Sequence, residues 1–169
     1  MILGIPNVGK STFINKLTKK KSAQVGNRPG VTKQKQWIKL DDGVELMDTP
    51  GVLWPKFENQ QIAMNLAFTG TIKDDILEKT EVAYELLKFL VNNYLENLTE
   101  RFKLDKEDVQ AILNGDGEEN EKLVAILDEM AQKRGAILSG GRIDYEKISG
   151  ILLDEFRSGK LGKITLERE

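Results

Sequence analysis

The sequence predicts an α/β segment followed by a segment made only of α-helices. Three observations lead to this fold class. The apolar residues 1–3 run into glycine-rich turn chemistry and then a helix-forming stretch, and residues 34–48 contain two stretches typical of β-strands. From residue 58 onward, apolar residues recur at helical spacing. We expect two domains, residues 1–72 and 73–169, because "TGTIKDD" interrupts the helical pattern between them.

Composition excludes several kinds of site. The 169 residues are 40% hydrophobic, enough for a globular core, and include neither cysteine nor histidine. Disulfides, thiolate metal centres and the usual zinc sites are therefore excluded, so any metal would be held by oxygen. No apolar run approaches the roughly 20 residues of a membrane-spanning helix. We expect a cytoplasmic protein without a membrane partner.

Positive charge is concentrated at the front of the chain. Residues 1–40 contain nine of the 25 Lys and Arg residues and none of the 27 Asp and Glu residues. Such a charge distribution suits a polyanion, either the phosphates of a nucleotide or a nucleic acid. The alternative is that "KLTKKK" is only the solvated basic end of a helix.

The α/β segment should contain short strands around one helix. "MIL" predicts the first strand, and residues 11–17 predict a helix with Phe13, Ile14 and Leu17 on its apolar face. "QKQWIKL" and "VELMD" predict two strands joined by an Asp-Gly turn. "TPGVLWPKF" should be a loop, because the residue before a proline avoids the helical region.

The rest of the chain predicts helices with apolar stripes. They are expected over "NQQIAMNLAF", over "EVAYELLKFLVNNYLENL", from Asp105 to near "NGDG", from Glu118 to Lys133 and from Asp144 to Arg157. The tail "GKITLE" predicts a short edge strand. The residues expected to face inward are Val82, Leu86, Leu87, Leu90, Tyr94, Leu95, Leu123, Val124, Ile126, Leu127, Met130, Ile148, Ile151, Leu152 and Phe156.

Residues 4–11, "GIPNVGKS", have the spacing of a phosphate-binding loop, namely a glycine, four residues and then Gly-Lys-Ser. The glycines let the backbone wrap around a phosphate, and the dipole of the following helix favours an anion at its N-terminus. Lys10 should reach the β and γ phosphates, while the Ser11 hydroxyl should be a ligand of Mg²⁺. The alternative is a coincidental turn. The backbone N–H groups expected to face the phosphates are those of Asn7, Val8, Gly9, Lys10, Ser11 and Thr12.

Two later residues are candidates for the same site. Asp48 ends an apolar strand in "DTPG", where its carboxylate would hold Mg²⁺ through water. Gly51 has no side chain, so its N–H could approach a γ-phosphate and sense its presence. The alternative is that "DTPG" is an ordinary turn.

Thr32, in "NRPGVTK", is the third candidate metal ligand. A threonine between the first helix and the next strand can close over Mg²⁺ with its hydroxyl when a triphosphate is bound. Taken without the other two motifs, Thr32 would be an ordinary loop residue.

These motifs carry a family resemblance. "GIPNVGKST", "RPGVT" and "DTPGVLWPKF", together with "LAFTGTIKD" and the helical rear, resemble the ribosome biogenesis GTPase A family, also called YlqF or RbgA. The resemblance implies a circularly permuted P-loop GTPase with an incomplete sheet here, using GTP or GDP and Mg²⁺. It also implies a role in maturing the large (50S) ribosomal subunit, with rRNA and ribosomal proteins as partners. Lys10, Thr32 and Gly51 would then serve GTP hydrolysis.

The guanine-reading motif of such enzymes is missing from this sequence. No Asn-Lys-x-Asp occurs, and "NKLT" at Asn15 lies inside the helix and ends in threonine. In the resembling family this motif precedes the phosphate loop, so the chain looks like the back part of a longer protein. Two alternatives stay open. One is a catalytically silent phosphate- or RNA-binding fragment, and the other is a P-loop ATPase, which "DTPG" disfavours.

The resemblance also assigns roles to single residues. Asn7 matches a loop asparagine associated with a potassium ion in related GTPases, although it could equally be a turn residue. Val52 cannot orient water, which predicts slow turnover until the ribosomal subunit completes the site. Four further candidates come from charge and position and not from the resemblance. Arg28 is expected to contact phosphate or RNA, with an arginine finger as the alternative, and Lys133, Arg134 and Arg142 are exposed candidates for rRNA contacts.

Overall fold

The computed structural model describes residues 1–18, 23, 32–39, 45–51, 59–72 and 77–167. The chain divides into two compact units, Met1–Ile76 and Leu77–Glu169, here called the front unit and the rear unit. That residues 1–72 and 73–169 are separate domains stays a prediction. None of the helices within the described ranges is both long and apolar enough to cross a membrane.

The front unit contains a two-stranded antiparallel sheet. Strand β1 is Gln36–Lys39 and β2 is Glu45–Asp48, so both predicted strands are confirmed, while the predicted Asp-Gly turn lies outside the described residues. The expected strand at "MIL" is reduced to Ile2, which forms a parallel bridge with Asp48. The N–H of Ile2 donates to Met47 O at 3.1 Å. This bridge brings the start of the phosphate-loop motif to the end of β2.

Helix α1, Lys10–Thr18, packs on the sheet through one residue. Ile14 is fully buried against Ile38. Phe13 and Leu17, expected on the same apolar face, are 55% and 51% exposed, so that part of the prediction is wrong. Within the described residues the sheet beneath has two strands, and such a narrow surface covers one line of side chains on the helix.

Helix α2, Gln60–Phe68, confirms the helical pattern expected from about residue 58. Its N-cap is Asn59, whose side-chain oxygen accepts from Gln61 N at 2.8 Å and from Ile62 N at 3.4 Å. These bonds satisfy N–H groups that have no partner inside the helix, and asparagine is a favoured residue for this purpose.

The rear unit consists of five helices over its described residues. They are α3 Lys79–Asn93, α4 Leu95–Phe102, α5 Lys106–Asn114, α6 Glu119–Arg134 and α7 Tyr145–Arg157. Asp105 and Asp144, where the sequence predicted two of these helices to begin, cap α5 and α7 with their side chains. The predicted edge strand at residues 162–167 is wrong, because no strand occurs there. Instead, Thr165 N–H bonds to the Tyr94 hydroxyl at 2.8 Å.

The sequence predicted one helix where the structure has α3 and α4. The break is at Tyr94, whose φ of −143° and ψ of 39° are not helical. In a continuous helix, Leu98 and Phe102 would lie roughly a quarter and a third of a turn away from Leu90. Both are buried, as Leu90 is, so the break allows α4 to turn its own apolar face inward.

Most of the predicted inward positions of the rear unit are buried, with a few exceptions. Val124 is 38% exposed, so its predicted inward orientation is wrong. Tyr94, Leu95, Ile151 and Phe156 are only half-buried. On α7, by contrast, Leu153 is fully buried although it was not predicted to face inward. The apolar face of α7 is therefore rotated slightly from the one that the spacing indicated.

A buried carboxylate joins three helices of the rear unit. Glu155 on α7 accepts two bonds from Arg101 on α4, at 2.6 and 2.9 Å, and one from Arg134 on α6 at 3.0 Å. The Arg134 guanidinium also lies 4.8 Å from the centre of the Phe102 ring. Arg134, expected as an exposed rRNA contact, is therefore engaged within the fold. Lys133 and Arg142 are exposed.

Candidate functional site

The loop of residues 4–9 connects Ile2 to α1 and has unusual backbone geometry. Asn7 has a φ of 62° and Gly9 a φ of 89°, with an ordinary residue between them. Asparagine and glycine tolerate this left-handed region best. Gly9 O accepts from Phe13 N at 2.8 Å, so the helix begins directly after the loop. Alternation of this kind before a helix is typical of backbone nests that bind anions.

The N-terminus of α1 is electrostatically favourable for an anion. The first turn of α1 contains no acidic residue, so no carboxylate of that turn would repel an anion bound at the positive end of the helix dipole. Val8, Gly9 and Thr12 are exposed, which keeps this part of the backbone accessible. A phosphate group is the ligand that such a helix N-terminus suits.

Lys10 places a positive charge at the entrance of the loop. Its ammonium donates to Gly4 O at 3.1 Å and to Ile5 O at 2.8 Å. A Cβ added at Gly4 would lie 3.6 Å from Lys10 Cδ, so the lysine stem runs close to the loop backbone. The loop therefore curls around the side chain of its own lysine.

The three predicted metal ligands come together. Ser11 Oγ donates to Asp48 Oδ2 at 2.9 Å and lies 3.2 Å from Thr32 Oγ1. Thr32 Oγ1 is 3.4 Å from the same carboxylate oxygen. Residues from α1, from the segment before β1 and from the end of β2 thus form one cluster of oxygen atoms, here called the oxygen cluster.

Asp48 is the charged centre of the oxygen cluster. It is fully buried, and its Oδ1 atom has no hydrogen-bond partner among the described residues. A buried carboxylate oxygen without a partner is costly, and a cation or its bound water would satisfy it. Carboxylate and hydroxyl oxygens are the donors that Mg²⁺ prefers, so the residues present fit this ion. No group of three or more acidic residues that could hold a metal occurs in the described ranges.

Gly51 lies directly against the phosphate loop. A Cβ added at this position would be 2.4 Å from both Cα and N of Pro6. No other residue type fits without moving one of the two backbones. The segment after β2 is therefore held next to the loop, which is where a backbone N–H would have to lie to approach a phosphate.

The remaining predicted residues of the front unit are Asn7, Val52 and Arg28. Asn7 Nδ2 lies 3.4 Å from Gly70 O and takes part in other interactions, and its positive φ also suits a turn residue. Its role beside potassium stays a prediction. Val52 and Arg28 lie outside the described residues.

One member of the site was missed by sequence reasoning. Gln36 Nε2 donates to Asp48 Oδ2 at 3.2 Å. The two residues are directly opposite each other in the β1–β2 register. Pairing Ile38 with Leu46 as inward residues would have placed Gln36 opposite Asp48, so the signal was the register and not a motif.

Comparisons with known proteins identify the family to which the chain is similar. Residues 1–129 match the model of the family described as "50S ribosome-binding GTPase". Ribosome biogenesis GTPase A of Bacillus cereus is 49% identical over 167 residues, which cover 99% of this chain and 52% of that protein.

Two solved structures of YlqF from Thermotoga maritima are also similar. The GDP-bound structure is 27% identical, with a TM-score of 0.58, and the match covers 99% of this chain and 59% of that one. The GNP-bound structure is 26% identical with the same TM-score of 0.58, covering 99% and 58%. The chain spans about half the length of the curated relatives that it matches.

Proposed function

Because this chain belongs to the 50S ribosome-binding GTPase family, and within it to the ribosome biogenesis GTPase A (YlqF/RbgA) family, we propose that it binds GTP and GDP with Mg²⁺. We further propose that GTP hydrolysis at this site acts as a switch in late assembly of the large (50S) ribosomal subunit. The partners would be rRNA and ribosomal proteins of that subunit. We propose that the chain folds as the phosphate-loop part of a permuted α/β GTPase, followed by a helical domain.

The oxygen cluster is the observation that carries the proposal. Ser11, Thr32 and Asp48 are separated in sequence, yet their side-chain oxygens lie within 3.4 Å of one another beside the N-terminus of α1. A phosphate-binding backbone next to a buried carboxylate and two hydroxyls is the combination that a magnesium nucleotide requires. If residues 4–11 matched the motif only by chance, we would not expect Thr32 and Asp48 to lie next to Ser11.

Each residue has a distinct task in the proposed mechanism. The backbone N–H groups from Asn7 to Thr12 would bind the phosphates, and Lys10 would exchange its bonds to loop carbonyls for bonds to phosphate oxygens. Ser11, Thr32 and Asp48 would hold Mg²⁺, which neutralises phosphate charge when bound. Gly51 would bring its N–H to the γ-phosphate, because its backbone already lies against Pro6.

Hydrolysis should be slow in the isolated chain. Val52 follows Gly51 and has no polar group that could orient the attacking water. We expect the large ribosomal subunit to supply or order the missing group. A potassium ion beside Asn7 would add positive charge where charge develops in the transition state.

A second candidate function is a phosphate- or RNA-binding module without catalysis. The observation that favours it is the absence of an Asn-Lys-x-Asp sequence, which leaves no identified group to read guanine. The two candidates differ in a measurable way. The silent module would bind nucleotides without preference for guanine and would not hydrolyse them, even with ribosomal subunits present.

The test is equilibrium binding of GTP, GDP and ATP by calorimetry, in buffer containing Mg²⁺ and K⁺. We expect guanine nucleotides to bind, and Lys10→Ala to weaken binding by about 10- to 100-fold because it removes a charged contact to phosphate. Lys16→Ala is the matched control, since Lys16 is an exposed lysine of the same helix. It should bind as the unchanged chain does.

Each outcome discriminates between the candidates. Selective guanine binding, with hydrolysis that rises when large subunits are added, would support the GTPase switch. Equal binding of GTP and ATP without turnover would favour the silent module, and preference for ATP would indicate an ATPase. Unchanged binding in Lys10→Ala would contradict the phosphate site altogether.

A further inference from the structure

We propose that Gln36 is a positioning residue for the metal site: its neutral amide holds the Asp48 carboxylate in the orientation that binds Mg²⁺. This inference rests on the proposed function of the same site. It adds a residue that no motif indicates, and it gives the β1–β2 register a functional consequence.

The sheet register places Gln36 where it can act on Asp48. The pairs Gln36–Asp48, Trp37–Met47 and Ile38–Leu46 follow one another along the two strands. Ile38 is buried in the core with Ile14 of α1, so the Ile38–Leu46 pair fixes which face of the sheet points toward the helix. Gln36 and Asp48 lie on that same face because side chains alternate along a strand. Packing of an apolar residue thus sets the position of a polar one.

The hydrogen bonds to Asp48 are distributed unevenly between its two oxygens. Oδ2 receives Ser11 Oγ at 2.9 Å and Gln36 Nε2 at 3.2 Å, with Thr32 Oγ1 at 3.4 Å. Oδ1 has no partner within the described part of the chain. Rotation of the carboxylate would break all of these bonds at once. The bonds therefore fix which oxygen is left for a cation or its bound water.

Gln36 differs from the other two donors in a way that matters when a metal is bound. The hydroxyls of Ser11 and Thr32 would also serve as metal ligands, so their geometry would adapt to the metal. The Gln36 amide has no such second task and can keep its bond to Oδ2. It is the only one of the three whose function would be confined to orienting the carboxylate.

The neutrality of the donor is the second part of the argument. An amide stabilises a buried carboxylate without cancelling its charge, so the full attraction for a divalent cation remains. A lysine in the same place would form an ion pair with Asp48 and compete with the metal. Lys35 precedes Gln36 in the chain, and a register slip of one residue could bring it opposite Asp48.

The experiment measures Mg²⁺ affinity directly. Mg²⁺ is titrated into the 169-residue chain in the presence of GDP, and GDP affinity is measured separately in EDTA. Gln36→Met keeps the length of the side chain but removes the donor, and we expect Mg²⁺ affinity to fall about 3- to 10-fold, since two other donors remain. Gln36→Lys should cause a larger loss because its charge competes with the metal. Gln34→Met is the matched control, because Gln34 is exposed.

The outcomes separate this inference from the proposed function. Weaker Mg²⁺ binding in both Gln36 variants, with metal-free GDP binding and the Gln34→Met control unchanged, would support the positioning role. Equal loss of GDP binding in EDTA would show that Gln36 only maintains the local fold, and it would overturn the inference. Unchanged Mg²⁺ affinity in both variants would overturn it as well, while leaving the phosphate site intact. If the unchanged chain bound neither GDP nor Mg²⁺, both proposals would fail.

Discussion

The front and rear units bury their apolar residues very differently. Apart from Ile14 and Phe68, the largest fully buried side chains in the described ranges all belong to the rear unit. The front unit instead exposes more than half of each of several large apolar side chains. These are Met1, Leu3, Val8, Phe13, Leu17 and Trp37.

The comparison shows that stability and chemistry have different physical sources in this chain. The rear unit is held by apolar packing among α3, α6 and α7, and by the buried contacts of Glu155. The front unit has a small apolar core around Ile14 and Ile38, and beside it polar contacts that converge on Asp48 and Lys10, the same residues that form the candidate site. Substitutions in the rear core should therefore change stability without changing the site, whereas substitutions near the loop should change both.

The largest effect is expected from a truncation in the rear core. Leu152 on α7 is fully buried, so Leu152→Ala should lower the free energy of unfolding of the rear unit by about 2–5 kcal/mol, through lost burial and a residual cavity. Urea denaturation followed by helical circular dichroism measures this change. Val124→Ala is the control, since Val124 is 38% exposed and should cost far less. Equal losses in the two variants would contradict the full burial of Leu152.

A smaller effect, confined to the front unit, is expected from Gly51→Ala. The added methyl group would lie 2.4 Å from the Pro6 backbone, and relieving that overlap should cost about 1–3 kcal/mol. Because the loop or the segment after β2 must move, phosphate binding should weaken too. Hydrogen exchange would show faster exchange for amides of β1 and β2, with α3 and α7 unchanged.

The control for Gly51→Ala is Gly115→Ala. A methyl group at Gly115 would meet its nearest atom, Ala111 O, at 3.3 Å, and the φ of −67° is open to any residue. We expect a minor local effect in the rear unit. Unchanged exchange in the front unit of Gly51→Ala would mean that Pro6 and Gly51 are not in close contact.

The smallest effect concerns an exposed ion pair of the rear unit. The hydrogen bond from the Lys106 ammonium, at 2.6 Å, lowers the pKa of Glu96. A carboxyl group whose pKa is lowered by folding contributes stability above its unfolded pKa, and this contribution is lost as the pH falls through the lowered value. An NMR titration should give a midpoint for Glu96 below the ordinary glutamate value. Lys106→Met should raise it, and an unchanged midpoint would show that the pair does not persist in solution.

Sequence reasoning was most successful where a feature depends on neighbouring residues. The phosphate-loop spacing and the helix starts near Asp105 and Asp144 each depend on residues within a short stretch of the chain. Ser11, Thr32 and Asp48 could be named as ligands because each belongs to a short motif, and the structure brings them together. Their action on a nucleotide stays a prediction.

Features that depend on distant residues could not be predicted in the same way. Tyr94 interrupts a strongly helical sequence without a glycine or proline, and its hydroxyl bonds to Thr165, far away in the chain. Glu155 was not singled out in the sequence, because nothing in its own helix indicates that Arg101 and Arg134 would surround it. Gln36 required the sheet register. In each case the deciding partner lies outside any local window.

The exposed Trp37 on β1 has a practical consequence for following the two units. Both tryptophans of the sequence, Trp37 and Trp54, belong to the front unit, whereas all three tyrosines belong to the rear unit. Trp37 is 65% exposed, so unfolding should change its emission little, but it neighbours Gln36 and its emission should respond when the site beside it is filled. Tryptophan fluorescence can therefore report on the front unit alone, without an added label, while helical circular dichroism reports mainly on the rear unit, which contains five of the seven helices in the described ranges.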